Sequence, residues 1–272
     1  NIGVFTQNKP ESLFVDFGAF GVRAVTVPLY ATSSEAQVHY ILEDAQIQYL
    51  FVGEQQQYDV ASRVMSLSSS LKQIIVFDHE VKLDAHDKTT MYMDDFLAVG
   101  KDGKHQAEVD KRTAESQKDD LMNILYTSGT TGESKGVMLS HAGYEAVMEA
   151  HIDRFPSFGE NDVVINFLPF THVFERAFSC WCLCVGAEMN INLRPQDIQM
   201  TIKEVRPTVM CSVPRFWEKV YSGVNEVINS ATGVKKTLMQ DAIKVGREHN
   251  VNYVSKGKNP PLWLHMKYKF YE

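Results

Sequence analysis

Short apolar runs alternate with amphipathic stretches over the first hundred residues. Residues 2–6, 24–28, 49–52 and 73–77 are apolar-rich runs short enough to be buried strands. Between them apolar positions recur at helical spacing. The stretch 10–20 opens with Pro10, which suits a first helical turn, and 58–66 reads as another helix. Thr32-Ser33-Ser34-Glu35 has the spacing of a capping box, and the helix it launches carries Val38, Ile41 and Leu42 on one side. Strand, helix, strand at this spacing predicts right-handed crossovers and a mostly parallel sheet.

From 101 to 120 the pattern gives way to Lys, Asp, Glu, Gln and His, read as a solvated linker with one short helix. It separates a first α/β portion, 1–115, from a second, 116–272. Within the second, 121–125 and 163–167 read as buried strands, 189–192 as a weaker one and 208–212 as another. The stretch 174–185 is apolar nearly all round, which predicts a buried helix, and 196–205, 216–229 and 234–250 also read as helices. The expected fold class is α/β, with mostly parallel, doubly wound sheets and helices on both faces.

One loop carries candidate chemistry. Tyr126-Thr127-Ser128-Gly129-Thr130-Thr131-Gly132-Glu133-Ser134-Lys135-Gly136 follows the strand at 121–125 and precedes Val137-Met138-Leu139, with Ser140 as N-cap of a helix over 142–154. Glycines let the backbone aim its N–H groups at one point, hydroxyls add donors and a lysine adds charge, which together make a phosphate cradle. The Walker A spacing is not met, because Ser134 stands where the second Gly belongs and Gly136 follows Lys135. A P-loop phosphotransferase therefore fits poorly.

The loop resembles the Ser/Thr-Ser-Gly-Thr-Thr-Gly-x-Pro-Lys-Gly signature of the adenylate-forming enzymes (acyl-CoA synthetases, luciferases and the adenylation domains of peptide synthetases), with Ser134 in place of Pro. Leu168-Pro169-Phe170-Thr171-His172-Val173-Phe174-Glu175-Arg176 is similar to that family's Leu-Pro-Leu-x-His-x-Phe-Glu segment, and its Phe-Glu-Arg ending to the long-chain fatty acyl-CoA synthetases. Val213-Pro214-Arg215-Phe216-Trp217-Glu218-Lys219-Val220 and the start at 7–11 fit the same subgroup.

The resemblance implies the N-terminal part of an AMP-forming long-chain fatty acid–CoA ligase. Such an enzyme joins fatty acid, ATP and coenzyme A through an acyl-adenylate, releasing pyrophosphate and AMP. Thr127, Ser128, Gly129, Thr130, Thr131, Gly132 and Lys135 would hold the ATP phosphates, and Thr127 a Mg²⁺ ion as well. His172, Val173 and Phe174 would wall the acyl channel near the adenylate, with Arg176 as a gate. Glu175 either pairs with Arg176 or another base, or serves as an acid at a helix N-terminus. The other readings are a fatty acyl-AMP ligase and a non-catalytic nucleotide- or acyl-binding module. The family's adenine wall, second magnesium ligand, ribose-binding acid and C-terminal lysine domain are not among these residues. The expectation is thus a fragment that begins after the natural start and is inactive alone.

Composition trims the alternatives. A net charge of −7 over 272 residues disfavours nucleic acid as the main partner, and no apolar run is long enough for a membrane span. Cys180, Cys182 and Cys184 alternate inside an apolar segment, with Cys211 apart, a pattern that reads as small buried hydrophobes rather than metal ligands. Free thiols suit a cytoplasmic setting. Residues 235–271 hold seven Lys and one Arg against Asp241 and Glu248, a local +6, with Trp263, Tyr268, Phe270 and Tyr271 nearby. A solvated basic face is the plainer reading, and peripheral contact with the inner membrane face the alternative. A homodimer is the remaining expected association.

Overall fold

The computed structural model describes residues 1–127 and 133–272. These fall into two compact units, Asn1–Cys211 and Ser212–Glu272.

The first unit opens with β1 (Ile2–Phe5), α1 (Pro10–Gly21), β2 (Thr26–Leu29), α2 (Glu35–Asp44), β3 (Tyr49–Val52), α3 (Gln55–Met65) and β4 (Gln73–Val76). Every one of these has its counterpart in the hydrophobic pattern. Two further elements do not: β5 (Thr90–Tyr92) and the short α4 (Met93–Val99), neither with a buried residue. The predicted linker holds α5 (Gln106–Ala114), also without a buried residue. Then come β6 (Leu121–Thr127), β7 (Lys135–Ser140) and α6 (His141–Arg154).

The strands order as β5-β4-β3-β1-β2-β6-β7, parallel throughout except for the antiparallel β6–β7 pair. The main core forms where Val38, Ile41 and Leu42 of α2 and Ala61 and Val64 of α3 cover Val27, Leu50 and Ile74 of the strands. One detail departs from the sequence reading. The capping box begins at Ser34, not Thr32: the Ser34 hydroxyl accepts the Gln37 amide, and the Gln37 side chain accepts the Ser34 N–H. The Thr32–Glu35 spacing imitates a box whose true N3 residue is a glutamine.

A second, three-stranded parallel sheet, ordered β10-β8-β9, is built from β8 (Val163–Asn166), α7 (Val173–Val185), β9 (Glu188–Ile191), α8 (Ile198–Val205) and β10 (Val209–Met210). Helix α7 buries Phe178, Trp181 and Cys182 against Val164 and Cys211. Gly186, at φ 76°, closes the helix in the left-handed conformation that glycine adopts without strain. The cysteines are free. Cys182 and Cys211 are buried as expected, but Cys184 is exposed.

The second unit consists of α9 (Pro214–Ser230), α10 (Gly233–Asn252) and α11 (Leu262–Tyr271). The last was not foreseen, and it packs Leu264 inward while Trp263 and Phe270 stay exposed. Among the described residues, no helix is long and apolar enough to cross a membrane.

Candidate functional site

The candidate phosphate loop joins two strands rather than a strand and a helix. β6 and β7 pair in antiparallel register up to Thr127 opposite Lys135, so those residues mark the two feet of the connecting loop. Ser128, Gly129, Thr130, Thr131 and Gly132 lie outside the described residues. Thr127 and Lys135 are both exposed at the loop's base. A P-loop passes straight into a helix and uses that helix N-terminus as an anion site. Here six residues of β7 intervene before α6 begins at His141. The hairpin geometry adds to the spacing argument against that class.

The sequence around the feet explains the hairpin. Gly136 sits opposite Tyr126, and a Cβ at 136 would lie 2.7 Å from Ile124 Cγ2 and 3.2 Å from Tyr126 Cζ, so this glycine gives the Tyr126 ring its place. The Tyr126 hydroxyl donates to Asp44 at 2.5 Å, tying the hairpin to α2. Burial, followed by that bond to a carboxylate, pushes the phenol's pKa up and keeps it protonated. Ser140 caps α6 as foreseen, its hydroxyl accepting the Gly143 amide at 3.4 Å.

The second candidate segment is the turn at 168–172 between β8 and α7. His172 is the N-cap of α7, with Nδ1 accepting the Phe174 amide at 3.3 Å. Its ring is exposed, as are Val173 and Phe174, both at 46 %. The next two residues turn inward. Glu175 is fully buried, and Arg176 forms a buried ion pair with Asp16 of α1 at 2.6 Å. Of the two roles open to Glu175, pairing with Arg176 is ruled out by that geometry. Glu175 Oε1 instead accepts from Asn166 at 2.9 Å.

The turn is held by side chains that sequence reasoning did not single out. Asn8 grips it twice: Nδ2 donates to the Leu168 carbonyl at 2.8 Å, and Oδ1 accepts the Phe170 amide at 3.1 Å. Arg176 Nη1 donates to the Phe170 carbonyl at 3.0 Å. Tyr144 of α6 lies near enough for the Arg176 charge to act on its phenol, and it meets Asn123 of β6 at 3.0 Å. Buried polar side chains thus lie between the strand that leads into the candidate phosphate loop and the helix that His172 caps. One signal could have revealed it. In α1 the buried stripe is Ser12, Val15, Asp16 and Ala19, and an acid on a buried stripe requires a cation.

Two cavities flank this segment. The smaller, about 200 Å³, lies beyond the carboxyl ends of β1, β2, β8 and β9 and is lined by Asn8, Tyr30, Phe170, Thr171 and Arg176 among others. Ligands of parallel sheets commonly sit at those ends. The larger, about 540 Å³, is lined by Val173, Phe174, Phe178 and Trp181 of α7, with His151, Phe155 and Phe158 opposite. Trp181 is its aromatic centre, with Phe158 at 4.3 Å and His151 at 5.0 Å between ring centroids. This size and apolar lining suit a small organic ligand. Val173 and Phe174 line the larger cavity and Arg176 the smaller, whereas His172 lines neither.

Among the described residues no cluster of three or more His, Cys, Asp and Glu side chains could hold a metal ion. Thr127, an exposed hydroxyl at the foot of the candidate phosphate loop, is of the chemical type that suits a hard cation sharing its coordination with phosphate oxygens and water.

Comparison with known proteins places this geometry. A family model described as "AMP-binding enzyme" matches residues 1–253. Long chain acyl-CoA synthetase 3 of Arabidopsis thaliana is 28% identical over 254 residues, covering 89% of this chain and 37% of that protein. Long-chain-fatty-acid–CoA ligase 6 of Homo sapiens is 31% identical over 261 residues, covering 89% of this chain and 35% of that one. The chain therefore spans little more than a third of the length of these relatives. Among solved structures, ATP-bound MatB from Rhodopseudomonas palustris superposes with a TM-score of 0.58 at 22% identity, over 80% of this chain and 40% of that one. A long-chain-fatty-acid-CoA ligase from Archaeoglobus fulgidus gives 0.58 at 18%, over 84% and 41%. Both share the mostly parallel α/β fold. With the family match running through both the hairpin loop and the 168–172 turn, the chain belongs to the AMP-binding enzyme family.

Proposed function

We propose that these residues are the front part of an AMP-forming long-chain fatty acid–CoA ligase. Fatty acid and ATP give acyl-adenylate and pyrophosphate, and the coenzyme A thiol then takes the acyl group and releases AMP. The observation that carries this reading is the glycine- and hydroxyl-rich loop seated between the paired feet Thr127 and Lys135. Around ATP, Lys135 would neutralise phosphate charge while the loop from Thr127 through Ser128, Gly129, Thr130, Thr131 and Gly132 supplies donors. Such positioned donors and charges are the main catalytic resource for phosphoryl displacement. Mg²⁺, where bound, would neutralise phosphate charge beside the Thr127 hydroxyl.

The larger apolar cavity is the candidate acyl site, with Val173 and Phe174 on its wall. His172, one residue before that wall and exposed, would meet the carboxylate end. Arg176 reaches the smaller cavity, and acting as a gate would require its guanidinium to leave Asp16. Contact with an anionic membrane surface fits the second unit. Ser212–Glu272 holds ten Lys and Arg against five Asp and Glu, and its exposed Trp263 and Phe270 could enter the interfacial layer.

The test is fatty-acid-dependent ATP–pyrophosphate exchange by the product of the full gene. Exchange followed by coenzyme A-dependent thioester formation is the expected result. Exchange without thioester would indicate an acyl-AMP ligase, and no exchange with any fatty acid would leave a binding module.

A further inference from the structure

Where the 168–172 turn runs into α7 lies a buried carboxyl group that has no ion-pair partner among the described residues. Glu175 lies in the first turn of α7 and is fully buried. Its Oε1 accepts from Asn166 Nδ2 at 2.9 Å, and the Leu168 backbone N–H is close enough to favour the charged carboxyl. The same Asn166 Nδ2 donates to Ser179 at 3.0 Å. Glu175 Oε2 and Asn166 Oδ1 have no partner among the described residues. The ionisable groups facing Glu175 are the thiols of Cys182 on α7 and Cys211 just after β10, and burial holds both at about 12. The nearest guanidinium, Arg176, is turned to Asp16.

We propose that Glu175 is a positioning residue: by bonding Asn166, the last residue of β8, its buried carboxyl in the first turn of α7 ties together the two ends of the turn that presents His172, Val173 and Phe174, and placing a charge on that carboxyl releases the turn. Two influences compete at this position. The helix N-terminus and two donors favour the carboxylate, while loss of water favours the acid. Burial wins, raising the pKa from 4.5 to about 8. Above that pH a charge stands fully buried, turned away from the nearest guanidinium, and the route to solvation is outward movement of the turn with the first turn of α7.

Amide hydrogen exchange across pH on the intact protein, read in peptides covering 168–174 and corrected for intrinsic exchange, tests this without substrate. The outcome is thus independent of the ligase reading, which pyrophosphate exchange decides separately. Between pH 7 and 9 the wild type should lose protection in this segment by about tenfold, following the ionised fraction. Glu175→Gln, a neutral isostere, should remain protected at both pH values. Equal protection of the wild type at pH 7 and 9, or the same pH dependence in E175Q, overturns the proposal. Should E175Q not fold, infrared titration of the wild type reads the carboxylic C=O band directly, and absence of a buried protonated carboxyl at pH 7 has the same force.

Discussion

Replacing Arg176 by methionine removes the cation from a buried polar chain while keeping most of the side-chain volume. Asp16 is 4 % exposed, and its carboxylate would be left without its counter-charge. Breaking a buried pair by deleting one partner costs about 3–5 kcal/mol, because the remaining charge is stranded rather than because the pair itself stabilises. The Phe170 carbonyl loses its guanidinium donor in the same step. For a chain of this size each kcal/mol shifts Tm by roughly 2–4 °C, so Arg176→Met should lower it by on the order of 10 °C. Calorimetry and urea unfolding at neutral pH on the intact protein would measure this.

The double variant Asp16→Asn, Arg176→Met carries no stranded charge. It should be more stable than the sum of the two single changes by about 1–3 kcal/mol. Arg176→Lys should restore a charge but not the fork that reaches both Asp16 and Phe170, recovering only part of the loss. A gating role makes the opposite forecast: unchanged stability with altered fatty-acid KM. An Arg176→Met protein within 1 kcal/mol of the wild type, or strictly additive single changes, would sink the argument that Arg176 is a structural hub.

Other perturbations separate scaffold from chemistry. Gly136→Ala puts a methyl 2.7 Å from Ile124, and should destabilise the hairpin by about 1–3 kcal/mol in thermal unfolding. Lys135→Met and Thr127→Ala alter exposed side chains, so melting temperature should hold while pyrophosphate exchange falls by about a hundred- to thousandfold. Phe174→Ala should raise fatty-acid KM, read by steady-state kinetics, with little change in Tm because the ring is half exposed. Glu175 takes up a proton on folding between pH 4.5 and about 8, so its contribution falls as pH rises through that window and levels off above it. Urea titrations should show that slope, a few kcal/mol in all, and Glu175→Gln should flatten it.

Local chemistry was legible wherever it stayed local. β3 (Tyr49–Val52) matches its apolar run to the residue, and Ser140 caps α6 as read. Failures occur where neighbours supply the pattern. β7 is an edge strand with four of its six residues exposed, so Val137 and Met138 show no inward-facing alternation that would mark a strand. Helix α11 hides its period because apolar side chains stand on more than one face: Leu264 is buried, yet Leu262, Trp263, Met266 and Phe270 are exposed and equally apolar. For the candidate site, the loop and the His172 segment could be found by motif, but what holds them could not. Asp16 and Arg176 are 160 positions apart, as are Asn8 and Leu168. A sequence shows that a buried acid needs a partner and leaves the partner's identity to the fold.

The Phe-Glu-Arg run illustrates how one short motif can serve two purposes. As the first turn of α7 rotates, it sends Phe174 toward the larger cavity and Glu175 and Arg176 into the protein. The outward residue touches whatever fills the cavity and can change with the ligand's shape at small cost to folding. The inward pair holds the Phe170 carbonyl and the Asn166 side chain, and Tyr144, which feels the Arg176 charge, bonds Asn123 on the strand that ends at Thr127. A change at 174 should therefore retune selectivity, whereas even Glu175→Asp or Arg176→Lys, which keep charge type, should disturb the turn. The spacing of the buried hydrogen bonds, rather than charge alone, sets where His172 stands.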